Sequence, residues 1–191
     1  MQLMGLQAIY PKARTSQKAV APTRYPYLLQ DLEIVRPNQV WSADITYVPL
    51  ARGFMYLVAI LDWFSRYVVA WELSNSLESY FCQQALQRAL RENQPEIFNS
   101  DQGVQFTVGS FLAALEAAGV RISRDGRGRA FDNIFVERLW RTVKYEEIYL
   151  RDYATVPALE TGLDKYFTFY NQERLYQSLG YRTPAEVHFG V

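Results

Sequence analysis

The chain is poor in the residues from which many catalytic sites are built. It has one cysteine, Cys82, and one histidine, His188, in 191 residues. A lone cysteine excludes an internal disulfide and any cysteine-rich zinc site. His188 stands close to the end of the sequence, so a Ser-His-Asp or Cys-His arrangement has no evident base. Any catalysis here is therefore expected to run on carboxylates. Long hydrophobic runs are missing too. The longest strictly apolar stretch is "FMYLVAIL", 54–61, far short of the roughly 20 residues that span a bilayer. No secretory signal opens the chain, and no membrane partner is expected. Net charge is zero, with 20 Lys and Arg against 20 Asp and Glu, so the total alone points to no polyanion. There is no internal repeat and no low-complexity tract.

What is present is enough to fold. Apolar residues make up 49% of the chain, and the length suits one domain with a full core, or one domain plus an arm. The charge is unevenly spread. Residues 1–36 hold five Lys/Arg against two Asp/Glu, and 121–144 hold seven against three, while 37–120 hold four against eight. A basic arm and a basic internal segment around an acidic middle hint at a polyanion partner.

Residues 1–36 read as a basic arm or linker, broken by Pro11, Pro22 and Pro26 and followed by Pro37; residues 37–191 read as the compact unit. "VWSADITYV" (40–48) alternates and is rich in β-branched and aromatic residues, as a strand should be. "FMYLVAILD" (54–62) and "YVVAWEL" (67–73) read as strands two and three, and their short links favour an antiparallel meander. A helix is expected from a Ser76 cap to about Arg91, with Leu77 on its apolar side. "EIFNSD" is strand four, 108–120 a helix closed by Gly119, and "VRIS" (120–123) strand five. A glycine-rich charged loop covers 124–133. Helices follow over 134–148 and 156–175. The order βββαβα, loop, helices implies an α/β fold: a mixed sheet with helices on its faces and the first strand at the centre.

Three carboxylates stand out. Asp44 lies in the middle of strand one, where an isolated buried charge is costly unless paired or metal-bound; it could equally face solvent. Asp101 ends strand four, where a turn or helix-cap role is the ordinary alternative. Glu137 lies on the helix after the glycine-rich loop, where a solvated face is the ordinary alternative. As a set they make an oxygen-only site suited to Mg²⁺ or Mn²⁺, and a two-metal site of that kind acts on phosphodiesters. Arg141 and Lys144 share the face of Glu137, although both could simply pair with it. With Arg138 and the loop residues Arg124, Arg127 and Arg129, they form the expected contact to a phosphate backbone.

Asp44, Asp101 and Glu137, with 35 residues between the last two, match the D,D(35)E pattern of retroviral integrases and insertion-sequence transposases. The wider wording is more specific: "RPNQVWSADITYVPL", "GFMYLVAILDWFSRYVVAWELS", "FNSDQGVQF", "DGRGRAFDNIFVERLWRTVKYEEIYL" and "YNQERLYQSLGYRTPAEV". Over about residues 36–187 the chain resembles the catalytic protein of the integrase-like group of insertion-sequence transposases. That resemblance implies a ribonuclease-H-like fold with a mixed five-stranded sheet, and the three acids as ligands of Mg²⁺, with Mn²⁺ as substitute. It implies DDE-type cleavage at the ends of an insertion element and transfer of the 3′-hydroxyl to target DNA. It implies double-stranded DNA as partner, a homo-oligomer on that DNA, and a bacterial cytoplasmic, nucleoid-associated location. Members carry an upstream helix-turn-helix region; "MQLMGLQAIYPK" resembles the joining segment after it, so a second-frame product or a fragment is expected. Two positions depart from the pattern: Ala43, where relatives often have Thr, and Tyr176, where many have an imidazole. Asp62, in "LDWFSR", is expected to be structural, ending strand two. Open alternatives are a ribonuclease-H-type nuclease, with Asp62 or Asp132 as fourth carboxylate, and a catalytically silent DNA-binding or regulatory remnant of a mobile element.

Overall fold

The computed structural model describes residues 25–101, 103–124 and 134–190. Five strands form one sheet: β1 (Val40–Pro49), β2 (Phe54–Asp62), β3 (Val68–Ser74), β4 (Ile97–Ser100) and β5 (Arg121–Arg124), in the order β3-β2-β1-β4-β5. The first strand is central, as expected. β1–β2 and β2–β3 pair antiparallel, while β4 and β5 add in parallel. The helices are α1 (Tyr80–Glu92), α2 (Val104–Thr107), α3 (Gly109–Ala117), α4 (Ile134–Val143), α5 (Tyr149–Arg151), α6 (Val156–Gln172) and α7 (Pro184–Phe189).

The unbroken apolar run of β2 has a direct cause. Val58 and Ile60 pack into a core that includes residues of α1 and α3, while Leu57, Ala59 and Leu61 pack into a second core that includes residues of α4 and α6. A strand buried on both faces needs apolar residues at successive positions. The chain is thus a helix–sheet–helix sandwich, the mixed α/β architecture expected.

Several boundaries differ from the sequence reading. The Ser76 N–H is taken by Ser74 Oγ at 3.1 Å, which holds a turn there and delays α1 to Tyr80. Leu77 is accordingly exposed rather than on the apolar side of a helix. The expected helix over 108–120 is α3, Gly109–Ala117, preceded by the short α2, which the sequence reading did not contain, and the backbone turns out at Gly119, with φ +69°. α4 continues into a π-helical turn, Lys144–Ile148, before α5. α7 was not read from the sequence, yet its start is a capping box: Thr183 accepts from the Glu186 N–H, and Glu186 accepts from the Thr183 N–H.

Most of the expected arm, 1–24, lies outside the described residues. Residues 25–36 contain no helix or strand but dock on the core. Leu29 packs with Val40, Trp63 and Ile97, the Leu28 N–H donates to Ser123 Oγ at 3.0 Å, and Tyr25 Oη donates to Glu116 at 2.6 Å.

Candidate active site

The parallel register of β1 and β4 runs to Ala43 opposite Ser100. The next residues are Asp44 and Asp101, so two carboxylates 57 positions apart in sequence stand side by side where β4 stops. Neighbouring strands are about 4.8 Å apart. Both residues line a cavity of 190 Å³, together with Tyr47, Tyr56, Leu77 and Gln105.

Asp44 is half-buried and faces α4. Trp140 Nε1 donates to its Oδ2 at 2.9 Å. That indole N–H is what joins α4 to β1. Glu137 precedes Trp140 by three residues, one helical turn, and is exposed. Burial pushes the Asp44 carboxyl above its ordinary pKa. Hydrogen bonds from the Ile45 N–H and Trp140 oppose this, while repulsion from Asp101 and Glu137 adds to it. Ionising Asp44 in the folded chain therefore costs stability as pH rises through its raised pKa, and the full cost is present above that value. Asp44→Asn is expected to raise the melting temperature at pH 7, by roughly 2–4 °C for each kcal/mol relieved. The gain should shrink as pH falls below about 4, where the aspartate of the parent is neutral in both states. Melting curves at pH 7 and pH 3 check this.

Asp101 is exposed, and its Oδ1 accepts the Gly103 N–H at 2.8 Å. It does serve its own turn, as the plain reading of a strand-end Asp requires. A Cβ on Gly103 would come within 2.8 Å of the same oxygen, so glycine is what gives that carboxylate room. Among the described residues, no three His, Cys, Asp or Glu side chains stand close enough to hold a metal. The donors still fit a hard divalent cation. All three are carboxylates, two are adjacent by strand register, and each of the other two already destabilises the charged form of Asp44.

The basic residues separate. Arg138 and Arg141 are exposed on α4, and Lys144, half-buried, opens the π-helical turn. Among the described residues none of the three forms a salt bridge with a carboxylate, so the pairing of Arg141 and Lys144 with Glu137 is not found. Arg127 and Arg129 lie outside the described residues. Arg124 corrects the sequence reading: it ends β5 rather than opening a loop, and it is buried. Its Nη2 donates to the Phe106 carbonyl at 3.3 Å, and its N–H to that of Pro26 at 3.3 Å. A side chain enclosed in that way is not placed as a surface contact to DNA.

Two other polar clusters were hidden from the sequence. Asp62, Ser65 and His188 meet in the interior. Ser65 Oγ lies 3.0 Å from His188 Nδ1 and donates to Asp62 Oδ1 at 2.7 Å. Asp62 and Ser65 both approach the same ring nitrogen, and the serine hydroxyl is buried, so this is a structural clamp and not a nucleophile with its base. Asp62 also accepts from the Ser65 and Asn38 N–H groups, which removes it as a free fourth carboxylate; Asp132 lies outside the described residues. Elsewhere, a cavity of 860 Å³ lies between the π-helical turn and α6. Its acids are occupied: Glu146 binds Arg174 and Tyr166, and Glu147 binds Tyr153 and Arg151.

The chain matches two profiles described as "Integrase core domain", over residues 35–130 and 118–184. It is 30% identical over 193 residues to the transposase for insertion sequence element IS904 of Lactococcus lactis, covering 97% of this chain and 76% of that protein. It is 33% identical over 192 residues to the transposase for insertion sequence element IS629 of Shigella sonnei, covering 97% of this chain and 64% of that one. In structure it is similar to the HTLV-2 integrase catalytic core domain in complex with magnesium. The TM-score is 0.66 at 22% identity, over 81% of this chain and 98% of that one. It is also similar to a chain of the simian T-cell lymphotropic virus intasome. There the TM-score is 0.70 at 20% identity, over 82% of this chain and 57% of that one. These structural likenesses bear on the fold, the ribonuclease-H-like core of retroviral integrases. Among the described residues no helix is long and apolar enough to cross a membrane.

Proposed function

The chain belongs to the integrase core domain family, among the integrase-like insertion-sequence transposases, and on that premise we propose that it is the DNA-cleaving and DNA-joining core of a transposase. It acts on the ends of an insertion element and transfers the released 3′-hydroxyl to a phosphodiester of target DNA. The observation that carries this reading is the register of β1 and β4, which sets Asp44 beside Asp101 while Trp140 ties the helix of Glu137 to Asp44.

Asp44, Asp101 and Glu137 would hold Mg²⁺, with Mn²⁺ as substitute. When bound, such ions raise the nucleophilicity of an attacking oxygen and stabilise the leaving oxygen. The residues of the chain do the rest. Trp140 fixes the rotamer of Asp44. The Gly103 N–H holds Asp101 where β4 ends. The exposed Arg138 and Arg141, with Lys144, lie on the helix of Glu137 and receive the phosphate backbone. Arg127 and Arg129, outside the described residues, are proposed as further phosphate contacts on their sequence alone. A homo-oligomer on DNA, reading its element ends through an upstream helix-turn-helix region, completes the proposal.

The test is a gel assay with a pre-cut element end, Mg²⁺ and target plasmid. Joined product is the expected result. Cleavage without joining would replace this reading with a nuclease, and shifted DNA without chemistry, even in Mn²⁺, with a regulatory DNA-binding protein. Lys144→Ala is expected to lower the slope of log K against log salt by about 0.9, one phosphate contact. Anisotropy titrations at several salt concentrations measure it, and an unchanged slope removes Lys144 from the interface.

A further inference from the structure

Arg66 sits in the turn between β2 and β3 with φ +64°, a left-handed backbone that costs a non-glycine residue about 1–2 kcal/mol. Such a conformation persists only where its surroundings over-determine it. Here the Asp62 N–H donates to the Tyr67 carbonyl at 2.9 Å, the Arg66 N–H to the Asp62 carbonyl at 2.9 Å, and the Trp63 N–H to the Val40 carbonyl at 2.9 Å. The buried Asp62 carboxylate gathers the Ser65 and Asn38 N–H groups from below. A turn pinned at so many points aims its side chain in one direction. The Arg66 guanidinium lies 3.5 Å from the ring centroid of Phe135, and Phe135 in turn packs edge-on against Trp63.

That stacked guanidinium borders a cavity of 450 Å³. Arg182, Ser178 and Gly180 border it too, and among the described residues none that lines it is acidic. The second wall comes from the tail stretch "YQSLGYR", 176–182. A bridge between Tyr176 and Arg182 closes it, with the Tyr176 N–H donating to the Arg182 carbonyl at 3.1 Å. Two consecutive residues there, Gly180 and Tyr181, have φ of +69° and +58°. Two strained turns from distant parts of the sequence thus present two arginines to one cavity. Among the described residues neither arginine has a carboxylate partner. Arg182 spends one N–H, its Nε, on the Leu179 carbonyl at 3.3 Å, which leaves most of its five donors. Arginines with no carboxylate bonded to them among the described residues, one of them half-buried and stacked on Phe135, are placed to receive an anion with several acceptor oxygens.

We propose that this cavity is a phosphate site for DNA, in which Arg66 and Arg182 contact the backbone of a bound strand beside the start of α4. The inference rests on the DNA-joining function proposed above. It gives a role to the tail segment, and it places backbone contacts on the β2–β3 turn, away from the three acids. Because Phe135 stands two residues before Glu137 on α4, a strand held there would run along the helix that carries that acid.

The probe is a 30-base-pair duplex labelled for anisotropy, titrated with the full chain from 50 to 300 mM salt. Arg66→Gln and Arg182→Gln are each expected to weaken binding several-fold at 100 mM salt and to lower the salt slope by about 0.9. Arg66→Lys should recover the slope, since charge sets it, but only part of the affinity, since the flat stack over Phe135 is lost. Melting curves on each variant separate lost contacts from lost folding. Arg182 is exposed, so its variant carries the test if Arg66→Gln does not fold. Parent slopes in both glutamine variants, with normal joining by the parent, would overturn this site and leave the transposase reading standing. A parent chain with no salt-dependent DNA binding would overturn both.

Discussion

An Asp101→Asn chain is expected to lose cleavage and joining together, by about a thousandfold or more, while it folds and binds DNA like the parent. The size follows from what the charge would do. Bound divalent ions contribute several kcal/mol to stabilising a phosphoryl transition state, and each 1.36 kcal/mol is a factor of ten in rate. The selectivity of the loss follows from the place of Asp101. It is exposed, and its bond to the Gly103 N–H can be accepted equally well by an asparagine oxygen. The substitution therefore removes a charge without opening a cavity or stranding a donor. Single-turnover joining of a pre-cut end, run beside a melting curve and an anisotropy titration, measures all three properties. Joining within a few-fold of the parent would show that Asp101 is only the turn residue its surroundings allow it to be.

The largest expected effect on stability comes from Asp62. It is fully buried at the end of β2, and its carboxylate accepts from the Ser65 N–H, the Ser65 hydroxyl and the Asn38 N–H at 2.7–2.8 Å. Asp62→Ala leaves those donors without an acceptor in a dry interior and should cost roughly 3–5 kcal/mol, a large part of the ~5–15 kcal/mol that holds a domain folded. Acid should reach the same clamp. Burial alone would push the Asp62 carboxyl up, but its hydrogen bonds with His188, Ser65 and the Asn38 N–H outweigh it and hold the carboxyl below the ordinary range. A folded-state pKa below the unfolded one stabilises the fold above the unfolded value, about 4, and the contribution is lost as pH falls through the lower folded value. Urea denaturation at pH 7 and pH 3 should show a loss in the parent that is smaller in Asp62→Asn. Equal acid sensitivity in both would place the titration elsewhere.

The alternation in "VWSADITYV" and the apolar run of β2 were legible because both follow from local periodicity and burial. The candidate acids were legible as types and spacings, but their adjacency was not. It depends on the parallel register of Ala43 with Ser100, which forms only when a helix returns the chain to the sheet. The link from Trp140 to Asp44 has the same origin: spacing places Trp140 one turn from Glu137, but only packing aims its indole at β1. Arg124 was misread because a basic residue beside a glycine-rich loop looks exposed; the docking of residues 25–36 over β5 is tertiary and leaves no local trace. His188 was set aside for its position near the chain end, yet α7 carries it to Ser65. The capping box of α7 was readable in "TPAE"; that single pattern would have supplied the last helix.

The most direct measurement is anomalous diffraction from crystals of the chain soaked in Mn²⁺. Anomalous density in contact with the Asp44 and Asp101 carboxylates, with Glu137 drawn in or close by, is the expected result. Crystals saturated with Mn²⁺ that show no density at Asp44 and Asp101, or a manganese held by other residues, would contradict a carboxylate-metal site at the end of β4 and the DNA chemistry built on it.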